Sequence, residues 1–167
     1  VDDISVGFQY NLLKKEALAR RAAKGQKITF YTCCSPDRPN TFTFSPPAES
    51  AYLGWHALAC GYDGYLRWAY NSWSEQPNQD SRYRSQSWYS GDCYLVYPGG
   101  SSIRFERLVE GIQAYEKARL LRPTLNLKGA KDLDEMLRYF APNVYKDDTD
   151  AVGLLRAAHN LLWKLSK

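Results

Sequence analysis

Apolar and polar positions follow two rhythms along this chain. Ile4-Ser5-Val6-Gly7-Phe8 alternates at period two and predicts a strand. Residues 12–24, rich in Ala, Lys, Arg and Leu, predict a helix stopped by Gly25. Residues 27–34 are rich in β-branched and aromatic side chains and predict a second strand. A loop with Pro36, Pro39, Pro46 and Pro47 leads into a helix over 48–60, ended by Gly61, and 65–71 predicts a third strand. Strands alternating with helices imply a parallel sheet with helical crossovers.

After Trp73 the pattern changes. Residues 74–90 are polar and aromatic without periodicity, which predicts a long loop of the kind that carries function. Residues 93–97 predict a short strand closed by Pro98-Gly99-Gly100. Ser102 caps a helix whose apolar face is Phe105, Leu108, Val109, Ile112 and Tyr115. Two amphipathic helices follow. One lies near 132–140, with Leu133, Met136, Leu137 and Phe140 on one side; the other lies near 151–165, with Val152, Leu155, Ala158, Leu162 and Leu165.

Strand parity sets the fold class. One alternate set is Ile4, Val6, Phe8; Ile28, Phe30; Leu66, Trp68, Tyr70, which predicts a helix-facing surface. The other set, Ser5, Gly7, Gln9; Thr29, Tyr31, Cys33; Arg67, Ala69, Asn71, Trp73, is largely polar. A doubly wound sheet buries both faces and needs both sets apolar. One apolar set fits a (β/α)8 barrel, whose inward residues near the top are polar and whose chemistry sits at the carboxyl ends of the strands. Three strands cannot close such a barrel. The start, Val1-Asp2-Asp3, has no initiator Met and no signal-peptide pattern, so the chain reads as a piece of something longer. The expected organisation is α/β: residues 1–122 are the last three βα units of a barrel plus a strand or hairpin, and 123–167 a helical extension packed on it.

Composition narrows the chemistry. The 167 residues carry a formal charge of +4, with basic residues alternating with acids along helices, which gives no stripe for nucleic acid. No apolar run is long enough to span a membrane. The aromatic load is high, with 13 Tyr, 5 Trp and 6 Phe. Flat rings carry the apolar face of a sugar, and amides with a guanidinium bond its hydroxyls. Tyr31, Asn71 and Trp73, with Arg67 and Asp92, are therefore the candidate sugar-binding residues, while Trp68 and Tyr70 are expected to pack against helices. Cys33 and Cys34, adjacent on a strand, should face opposite ways and, like Cys60 and Cys93, read as small buried thiols. Neither they nor His56 and His159 space like metal ligands, so no metal or cofactor is expected.

Carboxylates are the gap. A glycosidase generally needs two of them flanking the scissile bond. Asp2 and Asp3 lie at the wrong end of the first strand, and Asp63 shapes a turn with Gly64. Asp132, Asp134 and Glu135, and then Asp147, Asp148 and Asp150, sit where helices are expected to begin and suit capping. Asp92 alone ends the aromatic loop near the top face. No catalytic residue is assigned within the chain.

The ordered runs Tyr31-Thr32-Cys33-Cys34, Asp63-Gly64-Tyr65-Leu66-Arg67-Trp68-Ala69-Tyr70-Asn71-Ser72-Trp73, Gly91-Asp92-Cys93-Tyr94-Leu95-Val96-Tyr97-Pro98-Gly99, Ser102-Ile103-Arg104-Phe105-Glu106-Arg107-Leu108 and Gly111-Ile112-Gln113-Ala114-Tyr115-Glu116 carry a resemblance. Over roughly residues 1–120 the chain resembles the carboxyl-terminal part of glycoside hydrolase family 123 and the related bacterial domain of unknown function 4091. The resemblance implies a bacterial, secreted or periplasmic (β/α)8-barrel hydrolase that removes β-linked N-acetylgalactosamine from glycans. It also implies substrate assistance, in which the 2-acetamido oxygen attacks the anomeric carbon, served by an adjacent Asp-Glu pair on an earlier strand than any here. The expected partners are a glycan and the remainder of the same barrel, with no nucleic acid and no membrane span. Two rival readings are a non-catalytic carbohydrate-binding module and a structural domain.

Overall fold

The computed structural model describes residues 1–8 and 15–167. The expected strand end at Gln9, Tyr10 and Asn11 and the expected start of the first helix lie outside the described residues. Three parallel strands, β1 (Ile4–Gly7), β2 (Ile28–Tyr31) and β3 (Gly64–Leu66), pair in chain order. Helix α1 (Lys15–Ala22) precedes β2 and α2 (Pro47–Cys60) precedes β3; α3 (Ile103–Leu121), α4 (Leu127–Leu137) and α5 (Ala151–Leu165) follow. The described chain is a mixed α/β structure with one small parallel sheet and five helices.

Local chemistry sets the helix ends. Pro47 opens α2, where a missing N–H costs nothing, and Gly61 closes it. Ser102, Asn126 and Asp150 each accept a backbone N–H three residues on, from Phe105, Gly129 and Gly153. Of the acids expected to begin a helix, Asp150 does so. Asp132, Asp134 and Glu135 do not: they lie inside α4, because Asn126 starts that helix earlier than the apolar spacing implied.

Ile28, Phe30 and Phe8 are buried on the face that meets α2, where the rings of Phe8 and Phe30 lie 4.3 and 5.0 Å from His56. Leu18 of α1 joins the same core, so both crossover helices pack on one side of the sheet. On the other side Ser5 and Leu66 are exposed and Thr29 and Tyr31 half-buried. The one-sided burial expected from alternation holds for β1 and β2.

In the third strand the expected parity is off by one. Phe30 pairs with Tyr65 and Tyr31 with Leu66, so Tyr65 takes the core side while Leu66 faces out. β3 also stops at Leu66, since Arg67 turns under the strand ends. Trp68 is 64% exposed instead of packed on a helix, whereas Tyr70, 52% exposed, keeps an edge-on ring contact with Phe105 at 5.6 Å. Residues 93–97 form no strand; Asn71 bridges Tyr94 and Tyr97 bridges Gly100, each in isolation. Cys33 and Cys34 lie beyond the end of β2 in a bend, so the alternating-face rule does not apply, and Cys34 is exposed.

α2 and α3 cross at backbone contact. A Cβ on Gly54 would fall 2.2 Å from the Gly111 carbonyl oxygen, and one on Gly111 would fall 2.5 Å from that of Ala51. The buried stripe of α3 is therefore Arg104, Leu108, Gly111, Ala114 and Ala118. This rotates the helix away from the expected apolar face and leaves Ile112 49% exposed. The C-terminal helices close the same core: Trp55 stacks on Phe140 at 5.2 Å, and the Tyr52 hydroxyl donates to the Tyr139 carbonyl at 3.3 Å. His56 Nδ1 lies 2.8 Å from the Phe140 carbonyl oxygen, which fixes a neutral imidazole that donates through Nδ1.

Two outcomes are expected. Gly54→Ala and Gly111→Ala, changes that add about 1 kcal/mol in an open helix, should each lose about 1–3 kcal/mol or more through overpacking, read as a lower urea midpoint. Burial pushes the His56 pKa down to about 4, against the Phe140 carbonyl, which raises it. The unfolded chain therefore protonates first as pH falls, and the stability His56 contributes is full above about pH 6.5 and drains away down to about pH 4. Its size is on the order of 3 kcal/mol, and urea titrations of His56→Leu should lack this component of the wild-type slope.

Candidate active-site surface

The carboxyl ends of β2 and β3 are held together by one buried guanidinium. Arg67 Nη2 donates to Asp92 Oδ1 at 2.8 Å, with the two side chains 2% and 7% exposed, and Nε donates to the Asp92 carbonyl at 3.2 Å. Nη1 lies 2.9 Å from Thr32 Oγ1 and 2.7 Å from Asn40 Oδ1. The Phe42 ring sits 5.5 Å from the guanidinium carbon. Burial pushes the Asp92 carboxyl up, and the charge of Arg67 draws it back down. A guanidinium supplies the planar fork this site uses.

Asn40 extends the network. Its amide nitrogen donates to the Cys33 and Pro36 carbonyls at 2.8 and 2.6 Å, and its backbone N–H donates to Glu49 Oε2 at 2.8 Å. Glu49, buried at the start of α2, also accepts from Arg38 at 2.6 Å and from the Tyr145 hydroxyl at 2.9 Å. The C-terminal region is thereby tied to the strand ends. A second buried arginine, Arg104, donates from Nη1 to the carbonyls of Thr41, Tyr94 and Gly91 at 2.6, 2.8 and 3.2 Å. Gly91, at φ 81°, is required there: a Cβ would meet Arg104 Nη1 at 2.7 Å. Nothing in the sequence marked Asn40 or Glu49, and Arg104 stood only within a motif run with no role attached, since each reads as a loop or helix-surface residue until the fold closes over it.

The five candidate sugar-binding residues fall into two groups. Tyr31 stands at the end of β2 within electrostatic reach of Cys33, Arg67 and Asp92, and burial pushes its hydroxyl pKa up. Asn71 and Trp73 lie further along, pinned to the 93–97 segment, with Trp73 Nε1 donating to the Val96 carbonyl at 2.8 Å. They share a shallow pocket with Tyr70, Tyr97, Phe105 and Glu106. On its other side Trp73 lines a cavity of about 500 Å³ built by the long loop, with Tyr83, Trp88, Glu75, Asp80, Arg82 and Arg84. That volume suits a small-molecule or sugar ligand. Asp80 is clamped by Arg82 and Arg84 at 2.8 Å each, and those hydrogen bonds hold its carboxyl far below the usual range, so it is a poor proton donor. Among the described residues no group of three or more His, Cys, Asp or Glu side chains is placed to hold a metal, and no helix is long and apolar enough to cross a membrane.

The sequence matches the family model of the glycoside hydrolase 123 catalytic domain over residues 1–121. The chain belongs to glycoside hydrolase family 123. No curated protein matches it. Among solved structures it is similar to a family 123 glycoside hydrolase from Clostridium perfringens described for glycolipid glycan hydrolysis. The identity is 26% and the TM-score 0.81, over 99% of this chain and 32% of that one. The chain thus spans about a third of the length of the solved family 123 enzyme it matches. The motif runs that carried the resemblance lie within the matched residues, and they include Arg67, Asp92 and Arg104 of the buried network.

Arg67→Met, which strands the Asp92 carboxylate, is expected to cost about 3–5 kcal/mol in urea unfolding. Arg67→Lys should rescue little of it, because an ammonium cannot reproduce the fork. Pairing Arg67→Met with Asp92→Leu should recover most of the loss.

Proposed function

We propose that this chain forms part of a family 123 glycoside hydrolase acting on N-acetylhexosamine glycans, with β-linked N-acetylgalactosamine as the sugar removed by substrate-assisted, retaining hydrolysis. In this reading residues 1–122 are the carboxyl-terminal three βα units of a (β/α)8 barrel, and 123–167 are a helical extension packed on them. The remainder of the barrel is the chain's partner. The observation that carries the reading is the one-sided sheet: both crossover helices share a face, and the opposite face carries Tyr31 and leaves Leu66 open. In a barrel that open face turns inward and the strand ends form the rim of the active site.

Tyr31, Asn71 and Trp73 are the sugar-facing groups. Arg67 and Asp92 satisfy each other beneath them, so in this reading they hold the strand ends in place and set where Tyr31 stands. The exposed Trp88 ring, across the loop cavity from Trp73, extends the aromatic wall. The family resemblance implies a catalytic pair on an earlier strand, outside these residues. In keeping with that, Asp92 and Glu49 are held in ion pairs, Asp80 is clamped, and Glu106 accepts from the Ser101 hydroxyl. A glycan-binding wall and a proton-transferring pair are separable tasks, and this reading assigns only the first to these residues.

The 167-residue chain is expected to release no aglycone from an aryl N-acetyl-β-galactosaminide. In a longer polypeptide that carries the rest of the barrel, Trp73→Ala and Tyr31→Phe should lower kcat/KM about tenfold or more. Turnover by the 167-residue chain, or full activity in both variants, contradicts the proposal.

A further inference from the structure

Cys33 and Cys34 form a feature that the sugar-binding reading does not use. Their sulfurs lie 3.7 Å apart at the carboxyl end of β2, against about 2.0 Å in a disulfide. Cys34 is exposed and Cys33 half-buried, whereas Cys60 and Cys93, the other two cysteines of the sequence, are buried. The accessible thiols are therefore a neighbouring pair already in sulfur–sulfur contact. We propose that Cys33 and Cys34 are a dithiol modification site that closes reversibly to a disulfide, with a small organic disulfide as the oxidant.

The chemistry balances in two exchange steps. Cys34, the more exposed, loses its proton, and its thiolate attacks one sulfur of the organic disulfide. A Cys34 mixed disulfide forms and one thiolate leaves. Cys33 then loses its proton and attacks the Cys34 sulfur; the Cys33–Cys34 bond forms, the mixed disulfide breaks and a second thiolate leaves. The chain gives up two electrons and two protons, and the organic disulfide is reduced to two thiols. The second step is intramolecular between adjacent residues, so the mixed disulfide does not accumulate.

Covalent geometry makes the closed form reversible. Adjacent α-carbons stand about 3.8 Å apart across a trans peptide, less than the roughly 4.4–6.8 Å that an unstrained disulfide spans. Strained, exposed disulfides are the readily reduced ones. The location gives closure a consequence as well. The Cys33 carbonyl accepts from Asn40, whose side-chain oxygen accepts from Arg67, and Cys33 lies within electrostatic reach of the Tyr31 hydroxyl. A change in the backbone at Cys33 therefore bears directly on the strand-end network. The neighbouring Cys33 thiol and Asp92 raise the Cys34 thiol pKa, so exchange should keep accelerating past the pH at which a free thiol levels off.

The test treats the folded chain with 5,5′-dithiobis(2-nitrobenzoate), then quenches and weighs it intact. Two thionitrobenzoates should be released per chain, with the loss of two hydrogens, no retained adduct, and full recovery of the starting mass on adding dithiothreitol. Cys34→Ser and Cys33→Ser should each release one thionitrobenzoate and retain the other half of the reagent as a stable mixed disulfide. Peptide mapping should place the new bond between residues 33 and 34. Retained adducts on the wild type, disulfide-linked dimers, a bond to Cys60 or Cys93, or no reaction at all would each overturn the proposal.

Discussion

One buried guanidinium decides where the ends of the sheet go. Arg67 reaches from the last turn of β3 to Thr32 beyond β2, to Asn40 in the proline-rich loop and to Asp92 beyond the long aromatic loop. Three stretches far apart in sequence, 32–40, Arg67 and Asp92, thus share one set of hydrogen bonds in a site nearly closed to water. Such a site is costly to leave half-made, because removing either ion strands the other. Arg104 repeats the device one layer away by collecting the carbonyls of Thr41, Gly91 and Tyr94. The two arginines supply for these loops what backbone ladders supply for strands. That is how a short three-stranded sheet carries such long irregular segments.

Below this layer the constraint is steric. The Gly54–Gly111 crossing brings α2 and α3 into backbone contact, and α2 then has its remaining surface for the sheet and for the Phe140 region. His56 is the pivot of that packing: it is ringed by Phe8, Phe30 and Tyr62 and hydrogen-bonded to Phe140. The C-terminal helices therefore share the core of the βα units, and Glu49, Arg38 and Tyr145 tie them to the strand ends as well. The surface that carries Tyr31 rests on both.

The βα rhythm was legible because it rests on local rules: alternation in β1 and β2, glycine after α2, and a serine or an aspartate ahead of α3 and α5. The parity of β3 was not, because Tyr65 and Leu66 are both apolar and only pairing with Phe30 and Tyr31 decides which one turns inward. The inner stripe of α3 was missed because glycine and alanine carry no hydrophobic signal, and the segment after Trp73 offered no period to read. At the site, the residue types proposed for a sugar-binding wall could be picked out in the sequence. The roles of Arg67 and Asp92 did not, since one long-range ion pair separates a charge that meets ligand from a charge that holds the fold. Family 123 membership came from the order of motifs, which no single local rule contains.

The central claim is that the Arg67 guanidinium holds the strand ends, and with them the surface proposed to face the glycan. Native-state amide hydrogen exchange on the wild type and Arg67→Met tests it most directly, because it reads each segment separately. The account predicts that protection falls together after β2, after β3 and across residues 90–96, while the cores of α4 and α5 keep theirs. Unchanged protection at those three places, or a uniform loss over the whole chain, would contradict it.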